Sequence, residues 1–168
     1  ETIKKIMMFE IKLWINAILK GIPGRIGCRI RNSLLPYKYG SNVTIWENTH
    51  IDYPSKLIVG NNVSINRNCV LNASGFIEIG NDVLIGPNVI IYSQNHNYKE
   101  KDVPIRLQGY TRKKVLIEDN VWIGANTIVL PGVTIGSNSI IGANSLVNKN
   151  VPKNTLVAGN PARVIKSL

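Results

Sequence analysis

Four side chains of the sequence belong to the types that most often perform catalysis or bind metals: His50, His96, Cys28 and Cys69. Two histidines leave little room for a metal site with several histidine ligands, and two cysteines exclude a disulfide framework and a four-cysteine zinc site. A single imidazole can still act as a general base. By itself, a lone histidine in a polar stretch, such as His96, is more often a solvated side chain, so its role depends on the elements that position it.

The composition is typical of a single globular domain with a large positive net charge. The chain has 168 residues, of which 44% are apolar, and 20 Lys and Arg against 10 Asp and Glu give a formal charge of +10. A surplus of this size predicts an anionic partner. The sequence contains neither the P-loop nor the dinucleotide-binding glycine pattern. Because the basic residues cluster at the N-terminus without a recognised motif, we expect no nucleic-acid partner.

Residues 1–38 are predicted to form a basic helical segment ahead of the main fold. Residues 3–20 contain no Gly or Pro, and Gly21 ends the run. Apolar residues recur on one side at helical spacing: Met7, Ile11, Trp14 and Ile18. The segment is too short and too polar to span a bilayer. Two interpretations remain open: the apolar side packs on the protein's own body or another subunit, or it lies on an anionic membrane surface.

From residue 39 onward a period of six residues governs the sequence. An aliphatic residue recurs at every sixth position over a long run: Ile117, Ile123, Val129, Ile135, Ile141 and Val147. A second small or apolar residue follows each of these four positions later, and Gly and Asn fill the turns. Three short strands per coil, stacked coil on coil, explain this pattern. The sequence therefore predicts an all-β fold, a parallel β-helix over residues 39–157, followed by a C-terminal tail at 158–168.

The six-residue period breaks once, between Ile91 and Ile117. The break predicts a loop that leaves the β-helix over residues 93–114, and this loop contains His96. Long loops on rigid scaffolds are usually functional.

The hexapeptide register resembles that of the hexapeptide-repeat acyltransferases, whose β-helix is left-handed. The segments with the closest resemblance to galactoside, maltose and nodulation-factor O-acetyltransferases, and to surface-polysaccharide O-acetyltransferases, are residues 93–105, 121–136, 139–147 and 157–166. The resemblance implies a left-handed β-helix, a homotrimer with active sites between subunits, acetyl-CoA as acyl donor without a metal, and a saccharide acceptor.

The resemblance also implies roles for individual residues. His96 matches the catalytic base and Ala125 the backbone donor to the oxyanion, while Asn66 and Ser74 match acceptor-binding positions. The positions that match the coenzyme-binding residues are Trp122, Gly124, Ala125, Gly142, Ala143, Lys149 and Arg163. The galactoside branch has an aspartate at the position of Ser74, so the match does not extend to galactoside specificity.

Together these features predict an acetyl-CoA-dependent O-acetyltransferase that modifies a sugar hydroxyl of a bacterial surface glycan or its precursor. The alternatives are an N-acetyltransferase acting on a nucleotide-activated amino sugar and a non-catalytic β-helix that only trimerises. We expect a cytoplasmic protein. The membrane interpretation of residues 1–38 would place it at the inner face of the cytoplasmic membrane.

Overall fold

The computed structural model describes residues 2–168. Two helices come first, α1 (Thr2–Gly21) and α2 (Gly24–Leu34). Gly21 ends α1 as the sequence predicts, and Pro23 stands immediately before α2. Both helices lie within residues 1–38, the segment for which the sequence predicts helical structure.

The rest of the chain forms a parallel β-helix with three faces, whose strands are numbered along the chain. Face A stacks β1 (Lys38–Tyr39), β4 (Leu57–Val59), β7 (Ile77–Ile79), β12 (Val115–Ile117) and β15 (Thr134–Ile135). Face B stacks β2 (Thr44–Ile45), β5 (Ser64–Ile65), β8 (Leu84–Ile85), β13 (Trp122–Ile123), β16 (Ile140–Ile141), β18 (Thr155–Ala158) and β19 (Arg163–Ser167). Face C stacks β3 (His50–Asp52), β6 (Val70–Asn72), β9 (Ile90–Tyr92), β14 (Ile128–Val129) and β17 (Leu146–Val147). Single 3-10 turns occupy Pro54–Lys56 and Ile105–Leu107.

The predicted register is confirmed, because residues one coil apart are direct strand partners. Ile117 pairs with Ile79 and Ile135, and all three are at most 1% exposed. The side chains four positions after each marker also point inward, as Val121 and Thr127 show. Tyr39 is the exception: it lies opposite Val59 in register but is 44% exposed. No earlier coil covers it, and the buried Tyr37 closes this end of the core instead.

Asparagine at the corners both makes the turn and links the coils. Asn120 and Asn138 occupy equivalent corners with φ of 55° and 58°, a region that Asn tolerates better than most residues. The Asn120 Nδ2 donates to Asn138 Oδ1 at 2.9 Å, and Asn138 Nδ2 donates in turn to Asn154 Oδ1 at 3.0 Å. The Asn-rich composition is therefore part of the stacking that holds the coils together.

Arg31 fastens the helical segment to the first coil. Its side chain is 1% exposed, and its guanidinium donates to carbonyl oxygens of Leu19 at 2.9 Å, Ile22 at 2.7 Å and Ile45 at 2.8 and 3.0 Å. Leu19 belongs to α1 and Ile45 to β2, so one cation connects the end of the first helix, the second helix and the β-helix. Carbonyl oxygens at the C-terminal end of a helix attract a cation, which favours this arrangement.

The apolar side of α1 is not buried by the chain itself. Met7, Ile11, Trp14 and Ile18 are 56%, 50%, 69% and 64% exposed, whereas Leu19 beside them is buried. The interpretation that this side packs on the protein's own body is therefore wrong for the single chain. A neighbouring subunit and a membrane surface remain. In the described part of the chain, no helix has the length and apolar character that crossing a membrane requires.

The C-terminal residues are more ordered than a tail. After β18 the chain reverses, and β19 pairs with it antiparallel as the last strand of face B. Residues 158–168 thus cover the end of the β-helix, where the last coil would otherwise expose an unpaired strand.

Candidate active site

The extruded segment is a β-hairpin at the corner where the chain passes from face C to face A, here called the C–A corner. Its strands are β10 (Gln94–His96) and β11 (Tyr110–Arg112), and His96 lies directly opposite Tyr110. The two rings are 4.3 Å apart between centroids, at 42°. His96 is exposed, so the imidazole is fixed on one side by the tyrosine and open to solvent on the other.

The tip of the hairpin is held by Gln108. Its Nε2 donates to the carbonyl oxygens of Glu100 at 2.8 Å and Val103 at 2.7 Å, and its Oε1 accepts from the Glu100 N–H at 3.1 Å. Asn97, next to His96, donates from Nδ2 to the Gln108 carbonyl oxygen at 2.9 Å. These bonds restrict the loop that follows the histidine.

The base of the hairpin is tied to the β-helix through Ser74. This side chain is 2% exposed, and its Oγ accepts a hydrogen bond from Arg112 Nε at 2.7 Å. The neighbouring Gly75 leaves no space for a side chain, since an added Cβ would lie 2.3 Å from the Ser93 carbonyl oxygen. Ser74 therefore lies at the same corner as His96, but its hydroxyl is already engaged by Arg112.

A cleft of about 460 Å³ opens beside the imidazole. His96, Lys99, Lys113 and Thr111 line it together with Pro131 of the next coil. The cleft has a base-capable nitrogen at its edge, polar groups along the hairpin and enough room for a sugar residue.

A different corner, between faces B and C, contains the residues matched to the oxyanion donor and the coenzyme. Gly124 lies beneath Gly142 in this B–C corner, and a Cβ on Gly124 would meet the Ala143 backbone nitrogen at 2.6 Å. Within residues 2–168, no acceptor takes a hydrogen bond from the N–H of Ala125. Small residues thus leave a narrow edge of backbone, with an N–H available to a ligand.

Asn66 belongs to the same B–C corner. Its backbone N–H donates to Ile85 O at 3.0 Å, and its Oδ1 accepts from the Arg67 N–H at 2.8 Å. Trp122 stands on the outer side of face B next to Leu84, and the two are 53% and 54% exposed. This pair forms an apolar surface beside the glycine edge.

The two matched cationic residues come together at the C-terminal end. Lys149 and Arg163 both line a cleft of about 220 Å³, with Asn148, Asn150 and Pro152. They are distant in the sequence, and the antiparallel return of β19 brings them to one place.

Within a single chain, the predicted site residues are therefore divided among separate places. The C–A corner has His96 and Ser74, and the B–C corner has Asn66, Gly124, Ala125, Gly142 and Ala143. Tyr110, Gln108 and Arg112 were not predicted as contributors to the site. The sequence places these three residues in the extruded segment and says no more about them. The antiparallel pairing that brings Tyr110 to His96 leaves no repeating pattern in the sequence from which it could be predicted.

The cysteines are not placed to act as nucleophiles. Cys69 is fully buried, and desolvation raises the pKa of its thiol to about 11. Cys28 is also buried, on the inner side of α2. Among residues 2–168, no group of three or more His, Cys, Asp or Glu side chains could hold a metal ion.

Comparison with known proteins supports the resemblance found in the sequence. Residues 114–149 match the family model described as bacterial transferase hexapeptide (six repeats). The chain is similar to the galactoside O-acetyltransferase of Lactococcus lactis, with 57% identity over 56 residues, 33% of this chain and 27% of that protein. It is also similar to a putative lipopolysaccharide biosynthesis O-acetyl transferase of Escherichia coli, with 39% identity over 85 residues, 46% of this chain and 43% of that protein. The matches span less than half the length of both curated relatives.

A solved structure gives a match over most of the chain. It is a hexapeptide-repeat-containing acetyltransferase from Vibrio cholerae in complex with acetyl coenzyme A. The two chains are 33% identical with a TM-score of 0.79, and the match covers 91% of this chain and 85% of the other. The chain therefore belongs to the family of hexapeptide-repeat acetyltransferases.

Proposed function

We propose that the protein is an acetyl-CoA-dependent O-acetyltransferase that acts on a sugar hydroxyl. The observation that carries this proposal is His96, exposed on a hairpin that is fixed at its tip and base, beside a cleft lined by polar groups. The Vibrio cholerae relative, with acetyl coenzyme A bound, supports the choice of acyl donor.

The proposed reaction transfers the acetyl group directly. The neutral imidazole of His96 takes the proton of the acceptor hydroxyl as the oxygen attacks the thioester carbonyl carbon. The N–H of Ala125 donates a hydrogen bond to the oxyanion that forms. The C–S bond then breaks, the imidazolium returns its proton to the departing thiolate, and an acetyl ester and coenzyme A are released. No covalent enzyme intermediate is needed, which agrees with the buried cysteines.

Coenzyme A is proposed to lie along the B–C corner. Gly124, Ala125, Gly142 and Ala143 present backbone groups to the pantetheine arm, and Trp122 packs near the acyl end. The phosphates would reach Lys149 and Arg163, which share one cleft. Arg binds phosphate oxygens with two parallel hydrogen bonds, whereas Lys acts as a point charge.

The division of the site between two corners supports a homotrimer in which one chain's C–A corner faces the next chain's B–C corner. The exposed apolar pair Leu84 and Trp122 supplies surface for such a contact. Each complete site would then combine His96 of one subunit with Ala125 of its neighbour.

Mixed trimers test this arrangement directly. His96→Ala removes the base, and Ala125→Pro removes the N–H. The preceding coil already has Pro87 at the position equivalent to Ala125, so the backbone tolerates the change. Each variant alone should be nearly inactive. If each site joins two chains, co-refolding equal amounts should restore about a quarter of the wild-type rate, since that share of interfaces pairs two intact residues. No restoration, with mixed trimers confirmed by mass, would contradict the shared site.

The acceptor is proposed to be a surface glycan or its precursor, because one relative is a putative lipopolysaccharide biosynthesis O-acetyl transferase. Release of coenzyme A should be followed with neutral sugars, glycan fragments and nucleotide-activated amino sugars. A rate confined to amino sugars would favour N-acetylation. Failure to bind coenzyme A by calorimetry would favour a non-catalytic β-helix.

A further inference from the structure

The largest cleft around the first coil is separate from the cleft beside His96. One of its lining residues, Trp46, lies at the B–C corner one coil before Asn66. The cleft has a volume of about 720 Å³ and runs between α2 and the first coil of the β-helix. One face of α2 supplies Arg25, Arg29 and Ser33, and the first coil supplies Tyr39 and Trp46. None of the described residues that line it is acidic.

Two arginines of this cleft have no carboxylate partner among the described side chains. The ion pairs formed by the described residues involve neither Arg25 nor Arg29. Glu47, which follows Trp46 in the sequence, is paired with Arg67 instead. Arg25 and Arg29 are four positions apart on one helix, where like charges repel each other. An anion bound between them would relieve this repulsion.

A third arginine of α2 differs from Arg25 and Arg29 in its surroundings. Arg31 is buried and bonded to carbonyl oxygens, so it has a structural role. Arg25 and Arg29 are exposed and open to a ligand. Guanidinium groups bind phosphate oxygens with paired hydrogen bonds.

The aromatic wall of the cleft is fixed. Trp46 Nε1 donates to Ser64 Oγ at 3.3 Å, and the Arg67 guanidinium lies over the Trp46 ring at 5.3 Å. Tyr39, which also lines the cleft, is 44% exposed. A ligand would therefore enter a cleft whose charge and walls are already in place.

We infer that this cleft binds a phosphoryl group, and that the group belongs to the headgroup of an anionic lipid. α1 contacts α2, and the backbone N–H of Asn48 in the first coil donates to Lys20 O at the end of α1. The exposed apolar side of α1, with Trp14 and Ile18, thus lies at the same end of the molecule as the cleft. An apolar helix face at the same end as two exposed arginines fits a membrane interface, where acyl chains and phosphates are adjacent.

The test compares the full chain with a double variant and a charge-matched control. Arg25→Gln with Arg29→Gln removes the proposed ligands. Lys38→Gln with Lys166→Gln removes the same charge from exposed positions outside the cleft. Co-sedimentation is measured with vesicles of pure phosphatidylcholine and of phosphatidylcholine mixed with phosphatidylglycerol. We expect binding to the mixed vesicles only, weakened about thirtyfold by the arginine changes and much less by the control.

Calorimetry with inorganic pyrophosphate tests whether the phosphoryl group that binds in the cleft belongs to a lipid or to a soluble ligand. Suppose that wild type binds pyrophosphate but not vesicles, and that the arginine changes abolish the pyrophosphate binding. The cleft would then still be a phosphoryl-binding site, but its ligand would not be a lipid. Equal losses in both double variants, or no vesicle and no pyrophosphate binding by wild type, would overturn the inference. The oligomer mass and melting temperature of each variant establish that it is folded. Acetyl transfer to a soluble acceptor should be unchanged, so this result is independent of the proposed reaction.

Discussion

The C–A corner and the B–C corner of the β-helix contrast sharply in construction. At the C–A corner the stack is interrupted, and a hairpin projects His96 beyond the coils. At the B–C corner the repeat continues without interruption, and glycine and alanine leave the backbone itself at the surface. The first corner offers a side chain, and the second offers an N–H group.

The difference matches what acetyl transfer requires of each component. A base must reach the acceptor hydroxyl, which favours a side chain on a projecting element. An oxyanion donor must be preorganised, which favours a backbone group in a rigid stack. Neither corner can replace the other, so the comparison predicts separable losses when each is changed.

The largest expected effect comes from the C–A corner. His96→Ala should lower turnover by about two to four orders of magnitude, the usual contribution of a general base. The fold should be unaffected, because the hairpin lies outside the stacked core. Steady-state rates with acetyl-CoA and the melting temperature of the variant check these two statements.

His50 provides the internal control for that experiment. It lies on face C in the first coil, where its Nε2 is 2.9 Å from Asp52 Oδ1. His50→Ala should retain near-normal turnover. A His96→Ala enzyme that keeps most of its rate while still binding coenzyme A would refute the assignment of the base.

The B–C corner should give the next largest effect. Ala125→Pro should lower kcat by about two to three orders of magnitude, as removal of an oxyanion donor does. Ala125→Gly keeps the N–H and should retain most of the rate. The affinity for coenzyme A, measured by calorimetry, should change less than kcat does. A proline variant with wild-type kcat would exclude this N–H as the donor.

The two corners also differ in how far the sequence predicts them. The B–C corner follows from the period of six, because a strict register fixes which residues stack, as Gly124 and Gly142 do. The same period predicts the inward residues and the place where the hairpin leaves. The sequence of the hairpin has no repeating pattern. The pairing of His96 with Tyr110 and the contacts of Gln108 are therefore visible only in the structure.

The helical segment shows a second limit of the sequence. The apolar pattern predicts α1, but nothing in the pattern predicts that Arg31 is buried. Its partners are carbonyl oxygens supplied by α1, the linker after it and a strand, and carbonyl groups are present in every residue. Deleting residues 1–20 would remove the Leu19 carbonyl oxygen and leave the guanidinium with those of Ile22 and Ile45. The β-helix is therefore less independent of α1 than the repeat pattern suggests.

A smaller effect is expected from the tip of the hairpin. Gln108→Ala removes three hydrogen bonds that restrict the loop, and we expect turnover to fall by about tenfold because His96 is positioned less accurately. Arg106→Ala, an exposed change in the same loop, is the matched control. The melting temperature should be nearly unchanged, while limited proteolysis within 98–108 should become faster. Equal rates for both variants would show that the loop is positioned by other contacts.

The smallest effect on turnover is expected at Cys69, which lies at the B–C corner but points into the core. Its thiol donates to the Gly86 carbonyl oxygen at 3.2 Å, and burial raises its pKa to about 11. Cys69→Ser should leave turnover essentially unchanged, because the proposed transfer needs no thiolate. The folded state favours the protonated thiol, so this contribution to stability is complete below the ordinary thiol pKa of about 8.5 and is lost as pH rises towards 11. Urea unfolding of wild type and variant at neutral and alkaline pH should show that slope in wild type alone. Rapid alkylation of Cys69 at neutral pH with parallel loss of activity would instead indicate a nucleophile at the B–C corner. The proposal that this corner contributes only backbone groups would then be wrong.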